Sequence, residues 1–307
     1  MEARKCVSIL LPTYNERENI APLCEAIVSL FMGELSRYEY EIVIIDNASN
    51  DGTRDEIRAL CRENTRIKAI FNARNFGQFL SPFYGICQTG GDCTISMCAD
   101  FQDPVALIPT FLERWEAGAR VVCGIKTSSR ENALVRAART LYYKIIRRFS
   151  EVEQIEHFTG FGLYDRSFVD VLRGLDDPSP FLRGIVAELG FARCDVPYEQ
   201  ARRRAGRTSN NVATLYSAAM HSFTTYTALP VRVTLLFGVL VFSLSVIGGI
   251  VAFLLGIGWG IALSLLCALE GAHLILLALL AEYLLLLRAK VIRRPLVVEA
   301  ERINFSA

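Results

Sequence analysis

Cys93-Thr-Ile-Ser-Met97-Cys-Ala-Asp100-Phe-Gln102-Asp103-Pro104 is the stretch that decides how this chain is read. Its first five residues form an apolar run that predicts a buried strand, and Pro104 begins what reads as a helix. Two carboxylates and an amide therefore stand at a strand's exit. In an open α/β sheet ligands bind there, because side chains leaving the sheet face an uncovered crevice. Hard oxygen donors on such a lip suit Mg²⁺ or Mn²⁺, which bind one or two carboxylates together with substrate phosphates. Asp and Pro also serve ordinary solvated turns, so the stretch takes its meaning from its neighbours.

Those neighbours repeat the pattern. Residues 6–11, 41–45, 67–71, 93–97 and 120–123 read as strands, with helical periodicity near 20–31, 54–62, 78–88 and 106–117. This alternation predicts a mostly parallel sheet covered on both faces. The first strand ends in Pro12-Thr-Tyr14-Asn-Glu16, the second in Asp46-Asn47-Ala-Ser49-Asn-Asp51-Gly-Thr53, and the third in Asn72-Ala-Arg74-Asn-Phe-Gly77. Each cluster alone reads as a turn. Four successive exits bearing carboxylates, amides and an arginine would gather on one sheet edge, which solvated turns do not require. Such a crevice can hold a ribose and base by hydrogen bonds while a cation faces the phosphates. Neither Gly-x-Gly-x-x-Gly nor a P-loop sequence occurs, so a dinucleotide fold and a P-loop are not favoured.

The motifs Pro12-Thr-Tyr-Asn-Glu16, Asp46-x-x-Ser49-x-Asp51-Gly-Thr53, Arg74-Asn-x-Gly77 and Asp100-x-Gln102-Asp103-Pro104 resemble, in order, those of family 2 glycosyltransferases with a GT-A fold. Within that family the chain is most similar to polyprenyl-phosphate sugar transferases, such as dolichol-phosphate mannose synthase and bacterial undecaprenyl-phosphate glucosyltransferases. The resemblance implies a GT-A catalytic domain followed by a transmembrane hairpin. It implies that Pro12, Tyr14, Glu16, Asp46, Asn47, Ser49, Asp51 and Arg74 hold the nucleotide. Asp100 and Gln102 would ligate Mg²⁺ or Mn²⁺, with Asp100 and Asp103 as the catalytic carboxylates. Relatives often carry Asp-x-Asp-x-Gln here, whereas this chain has Cys98 first, and a thiol is a poor ligand for Mg²⁺. Three readings stay open: one carboxylate with Gln102 suffices, Asp103 contributes, or metal binding is weakened.

The middle of the chain is basic. Lys126 and Arg130 precede residues 131–150, which read as an amphipathic helix with Arg136, Arg139, Lys144, Arg147 and Arg148 off its apolar side. A helix of this kind can lie on an anionic bilayer or pack on its own core. His157, in the run His157 to Arg166, resembles an acceptor-side segment of the bacterial relatives and is read as structural. Further on comes Val196-Pro-Tyr198…Arg203-Arg-Ala-Gly206-Arg-Thr208, in which two arginines precede a glycine and a hydroxyl. That segment resembles one that closes over phosphates, which implies phosphate or acceptor binding by Lys126, Arg130, Arg203 and Thr208. Gln200 and Ser209 depart from the family pattern.

The 307 residues leave room beyond one good-sized domain, and the 52% hydrophobic fraction is concentrated after Leu229. Residues 211–229 read as an interfacial helix, and residues 233–255 and 261–287 as apolar runs exceeding the ~20 residues needed to cross a bilayer. Arg232 before them and Arg288, Lys290, Arg293 and Arg294 after them predict that both ends are cytoplasmic. The expected organisation is a catalytic domain over 1–210, the interfacial helix, a hairpin over 230–288 and a cytoplasmic tail over 289–307. Glu270, His273 and Glu282 are candidates for hairpin or oligomer contacts. The nine scattered cysteines read as reduced and mostly buried, and the start of the chain shows no signal peptide.

The function expected from the resemblance is inverting transfer of one sugar from a nucleotide sugar to polyprenyl phosphate at the cytoplasmic face of the inner membrane. The donor expected is UDP-linked, glucose favoured. The partners are the nucleotide sugar, the lipid phosphate, the membrane and further copies of the chain, with no nucleic acid. A processive polysaccharide synthase and a non-catalytic, membrane-anchored nucleotide-binding scaffold are the alternatives.

Overall fold

The computed structural model describes residues 4–128, 155–178, 180–201, 204, 229–291 and 295–305. The described residues divide into two compact units, one holding the whole sheet and its helices and the other holding the two long C-terminal helices.

The first unit is built on an eight-stranded sheet. Its strands are β1 (Cys6–Thr13), β2 (Glu39–Asp46), β3 (Ile67–Asn72), β4 (Cys93–Ser96), β5 (Val121–Ser128), β6 (Phe158–Asp165), β7 (Arg193–Glu199) and β8 (Glu299–Ile303), in the order β7-β5-β6-β4-β1-β2-β3-β8. β1 pairs in parallel with both β2 and β4, and β2 with β3. β6 runs antiparallel between β4 and β5, and β7 lies parallel to β5. The central strands are apolar on both faces, as a sheet with two covered faces requires.

Successive side chains of one strand enter opposite layers. Ile42 and Ile44 of β2 join the cluster formed with α1 (Arg17–Met32), α2 (Thr53–Glu63) and α4 (Ile108–Glu116). Val43 and Ile45 join the cluster formed with α3 (Gly77–Gln88), α5 (Arg166–Gly174) and α6 (Leu182–Glu188). Each fully buried Ile or Leu contributes on the order of 1.5–3 kcal/mol of transfer free energy. Gly85 explains how close α3 lies: a Cβ there would stand 2.7 Å from Leu10 Cδ1 and 3.1 Å from Ile45 Cγ2.

The five expected strands and four expected helices are all present, with ends moved by a few residues. The sheet also contains β6, β7 and β8, which the apolar runs did not announce. β5 continues to Ser128, so Lys126 lies within a strand instead of following one. The tail expected as a separate segment returns to the sheet: β8 pairs antiparallel with β3.

The second unit contains α7 (Leu229–Leu254) and α8 (Gly258–Val291). They run antiparallel, with Gly238 against Ile275, Gly271 against Phe242 and Gly249 against Ser264. A Cβ on Gly271 would meet the Phe242 backbone nitrogen at 2.7 Å, so glycine allows the two backbones to approach. Gly256, at φ 68°, turns the chain between them. Pro230, expected to end a preceding helix, falls in the first turn of α7, where its missing N–H costs nothing. Val231–Leu254 and Gly258–Ala281 are long and apolar enough to cross a bilayer, and most of their large side chains are exposed. The expected helices over 131–150 and 211–229 lie outside the described residues, apart from Leu229.

Candidate active site

The parallel register sets Thr13 opposite Asp46, and Asp46 opposite Phe71, so the loops beyond β1, β2 and β3 leave the sheet at one level. Pro12 is half-buried at the end of β1 and Tyr14 is exposed. The Asn15 N–H donates to Ser49 Oγ at 2.8 Å, and its side-chain oxygen accepts the Asn50 N–H at 2.9 Å. Buried Glu16 begins α1: its N–H donates to Thr53 Oγ1 at 3.0 Å and its Oε2 accepts from Asn19 Nδ2 at 2.7 Å. Asp51 accepts the N–H groups of Thr53 at 3.0 Å and Arg17 at 3.4 Å. Partial burial opposes its charge, but these bonds and the Thr53 hydroxyl hold its carboxyl below the usual range.

Asp46 is fully buried, and its Oδ2 accepts from Arg54 Nε at 2.7 Å and from the Ser49 N–H at 3.1 Å. Its Oδ1 is buried without a hydrogen-bond partner among the described residues. An unmet buried acceptor costs about 1–3 kcal/mol, which a ligand N–H would recover. Arg54 also donates through Nη2 to the Asn72 carbonyl at 2.6 Å, joining the exits of β2 and β3. Asn47 commits its whole amide to that frame. Its Nδ2 donates to Asn75 Oδ1 and the Gly77 carbonyl, and its Oδ1 accepts from Asn72 Nδ2 and the Phe76 N–H. Arg74 is exposed, its guanidinium 4.4 Å from the Phe76 ring centre.

At the exit of β4, the Met97 N–H donates to the Leu10 carbonyl at 3.1 Å, which sets this loop beside that of β1. Asp100 is buried and its Oδ1 accepts the Gln102 N–H at 3.1 Å; desolvation outweighs that bond and pushes its carboxyl up. Asp103, only 2% exposed, is turned inward. Its Oδ2 accepts the Cys98 N–H at 2.8 Å and its Oδ1 accepts the Tyr198 hydroxyl at 3.0 Å. Burial pushes this carboxyl up as well. The negative charge of Asp103 in turn drives the Cys98 thiol well above its ordinary range, so the sulfur stays protonated.

The segment after β7 closes on the same loop: the Ala201 N–H donates to the Gln102 carbonyl at 3.2 Å, and the Arg204 guanidinium lies 5.1 Å from the Phe101 ring centre. Lys126 is opposite Tyr198 on the paired strands β5 and β7, and its N–H donates to the His157 carbonyl at 3.3 Å. Arg130, Arg203 and Thr208 lie outside the described residues, as do Gly206 and Ser209. The backbone is strained at this edge. Of the five described non-glycine residues with positive φ, Asn15, Ala48 and Phe101 stand at the exits of β1, β2 and β4. Such conformations cost on the order of 1–3 kcal/mol each and cluster where a site needs a fixed shape.

The glycosyl transferase family 2 model matches residues 8–172, from β1 into α5. The chain belongs to this family. It is 32% identical over 240 residues to the bactoprenol glucosyl transferase of Shigella phage SfV, covering 78% of each chain. It is 31% identical over 242 residues to a prophage bactoprenol glucosyl transferase homolog of Escherichia coli K12, again covering 78% of each. Among solved structures, mannosyl-3-phosphoglycerate synthase from Rubrobacter xylanophilus shares the fold, with TM-score 0.50 and 19% identity over 71% of each chain.

A family 2 glycosyl transferase commonly works with a divalent cation, and the donor set here accommodates one. Asp100 and the Gln102 amide supply hard oxygens, and the desolvated Asp100 carboxylate gains from a nearby cation. The sulfur of Cys98 is a soft donor and a poor ligand for such a hard cation. Among the described residues no group of three or more His, Cys, Asp or Glu side chains forms a closed metal cage. One carboxylate and one amide fit a cation whose remaining ligands are water and diphosphate oxygens.

Sequence reasoning missed Arg54 and the framing role of Asn72. The available signal was positional: Arg54 follows the Asp51-Gly-Thr53 turn on the first turn of α2, within reach of the strand end just left.

Proposed function

We propose that the chain transfers a single sugar, with inversion, from a nucleotide sugar to polyprenyl phosphate at the cytoplasmic face of the membrane. UDP-glucose is the favoured donor. The observation that carries this reading is the joining, in one family 2 chain, of the Asp46 and Asp100 strand exits to two helices of bilayer length. The likeness to the phage bactoprenol glucosyl transferase and its Escherichia coli homolog supports the lipid acceptor.

In this reading Asp46 Oδ1 accepts a base N–H, while Pro12, Tyr14, Glu16 and Arg74 line the nucleotide's place. Asn47, Ser49 and Asp51 hold the frame around it. Asp100 and Gln102 hold Mg²⁺ or Mn²⁺, which supplies Lewis acidity for the departing diphosphate. An acceptor phosphate oxygen forms the new bond to the anomeric carbon as the bond to the nucleoside diphosphate breaks. A phosphate monoester has a second pKa near ~6, so at neutral pH the nucleophile is largely ionised and positioning outweighs base catalysis. Asp103 is therefore assigned a positioning role, with both oxygens held by Cys98 and Tyr198. Lys126, Arg130, Arg203 and Thr208 neutralise and orient phosphate groups.

The domain over 1–210 works on the cytoplasmic side of an inner membrane, and residues 230–288 form the membrane hairpin with both ends cytoplasmic. Glu270 and His273 are exposed on α8, whereas Gly271 faces α7. Charges facing lipid are expensive, so this face is assigned to a second copy, where Glu270 of one chain meets His273 of the next.

The test is incubation of purified protein with labelled UDP-glucose, undecaprenyl phosphate and Mg²⁺ or Mn²⁺, followed by lipid extraction. A lipid-linked monosaccharide is expected. A polymer would support a processive synthase, and nucleotide binding without turnover would support a scaffold; either result overturns the proposal.

A further inference from the structure

We infer that the C-terminal segment, residues 295–305, is a positioning element of the nucleotide site, acting through Arg54 and the loop between β3 and α3. The inference rests on the reading of Asp46 as a ligand to the nucleotide.

This segment does more than cover a sheet edge. β8 pairs Glu301 with Phe71 and Glu299 with Asn72, and the register shifts between Phe71 and Asn72, where β3 passes into its loop. Just before β8, the Val298 carbonyl accepts the Ala73 N–H at 2.9 Å. Ala73 directly precedes Arg74, so a backbone bond from the tail fixes the start of the loop whose later residues, Asn75 to Gly77, are held by Asn47.

The side chains on the α2 face lead to Asp46. Glu301 accepts from Arg58 Nε at 3.2 Å and Nη2 at 2.8 Å. The guanidiniums of Arg58 and Arg54 lie 4.9 and 5.7 Å from the centre of the same Phe71 ring. Arg54 then reaches Asp46 Oδ2 and the Asn72 carbonyl. Glu301 is the tail's anion beside Arg58 and Arg54, whose charges it offsets together with Asp55 and Asp46. Its carboxyl lies below the usual range through the Arg58 hydrogen bonds, with a further contribution from Arg54. Without that anion Arg58 is left to Asp55, to which its Nη1 donates at 2.9 Å, and its charge is less offset beside Arg54, the residue that holds Asp46.

Independent anchors keep the strand in place: Tyr84 donates to Glu299 at 2.8 Å, and Asn304 Nδ2 donates to the Cys61 and Ile67 carbonyls at 2.7 and 2.8 Å. A substitution at Glu301 therefore perturbs the link to Arg54 while these contacts remain.

The experiment uses the full-length protein in detergent, with UDP-glucose and undecaprenyl phosphate as substrates. Glu301→Arg is expected to raise KM for UDP-glucose about tenfold with kcat within about twofold, and the Arg58→Glu/Glu301→Arg exchange to restore most of the loss. A role confined to stability predicts a lower melting temperature with KM unchanged, and that result overturns the inference. If Glu301→Arg does not fold, Glu301→Gln is read the same way: a raised KM supports the inference and an unchanged one overturns it. Asp46→Asn separates the two levels. An unchanged KM there removes the site reading itself, whereas a raised KM there with unaffected Glu301 variants removes only the role of the tail.

Discussion

Tyr198 donates its hydroxyl to Asp103 at 3.0 Å and so ties β7 to the loop leaving β4. Both residues are buried, at 5% and 2% exposure, so water cannot replace the bond. Tyr198→Phe leaves a buried carboxyl oxygen unmet, at a cost of about 1–3 kcal/mol. The expected result is a lower melting temperature, by about 2–4 °C per kcal/mol, together with reduced kcat because the Asp100 loop loses its support. A calorimetric scan and a turnover assay on the same preparation check this. An unchanged melting temperature would show that the bond carries no stability.

Arg54 spans two groups, Asp46 Oδ2 and the Asn72 carbonyl, with different nitrogens of one rigid fork. Lysine keeps the charge but cannot reproduce that fork. Arg54→Lys is therefore expected to raise KM for the nucleotide sugar by about tenfold, equivalent to ~1.4 kcal/mol, with a smaller change in kcat. Titration of UDP into the variant should show the same loss. Equal UDP affinity in wild type and variant would remove Arg54 from the nucleotide site.

The parallel core was legible because its strands are short apolar runs ended by turn residues, as in Glu39–Asp46, and both sheet faces are covered. β8 was not. Glu299-Ala-Glu-Arg-Ile303 is mostly charged, which suits an edge strand but carries no alternating apolar signal. Its place depends on partners more than 200 residues away, such as Arg58 and Tyr84. In the candidate site, residue types at the strand exits pointed to Asp46 and Asp100, but not to the hydrogen bonds in which neighbouring side chains are engaged. Those depend on the tertiary fold: Asn47 looked like a nucleotide ligand and spends its amide on the β3 loop, and Asp103 looked catalytic and is turned toward Cys98 and Tyr198.

Glu270 lies midway along Gly258–Ala281, exposed on the same side of α8 as His273 one turn later. Glu270→Leu replaces a carboxyl that needs a partner with a side chain content in lipid. It is expected to weaken self-association and leave insertion intact, seen as a shift to smaller species by native mass spectrometry from detergent. Glu270→Gln, which retains hydrogen bonding, should shift less. Identical oligomer distributions in wild type and Glu270→Leu would remove this face from the interface.

Asp100 gives the sharpest test because its effects on stability and activity have opposite signs. Desolvation raises its folded-state pKa above the unfolded value, against the Gln102 N–H bond. A group shifted this way contributes stability below the unfolded pKa, near ~3.9, and that contribution is lost as pH rises through the folded value. At pH 7 the metal-free protein therefore carries a destabilising charge. Asp100→Asn removes the charge while its side-chain oxygen still accepts from Gln102, so the variant should melt higher than wild type at pH 7, an advantage that vanishes as pH falls toward ~4. Mn²⁺ with UDP should raise the melting temperature of wild type by more than that of the variant. Transfer should be lost in Asp100→Asn. An Asn variant that melts lower at pH 7, or that still transfers sugar, would show that Asp100 is not the buried carboxylate on which the cation and the diphosphate depend.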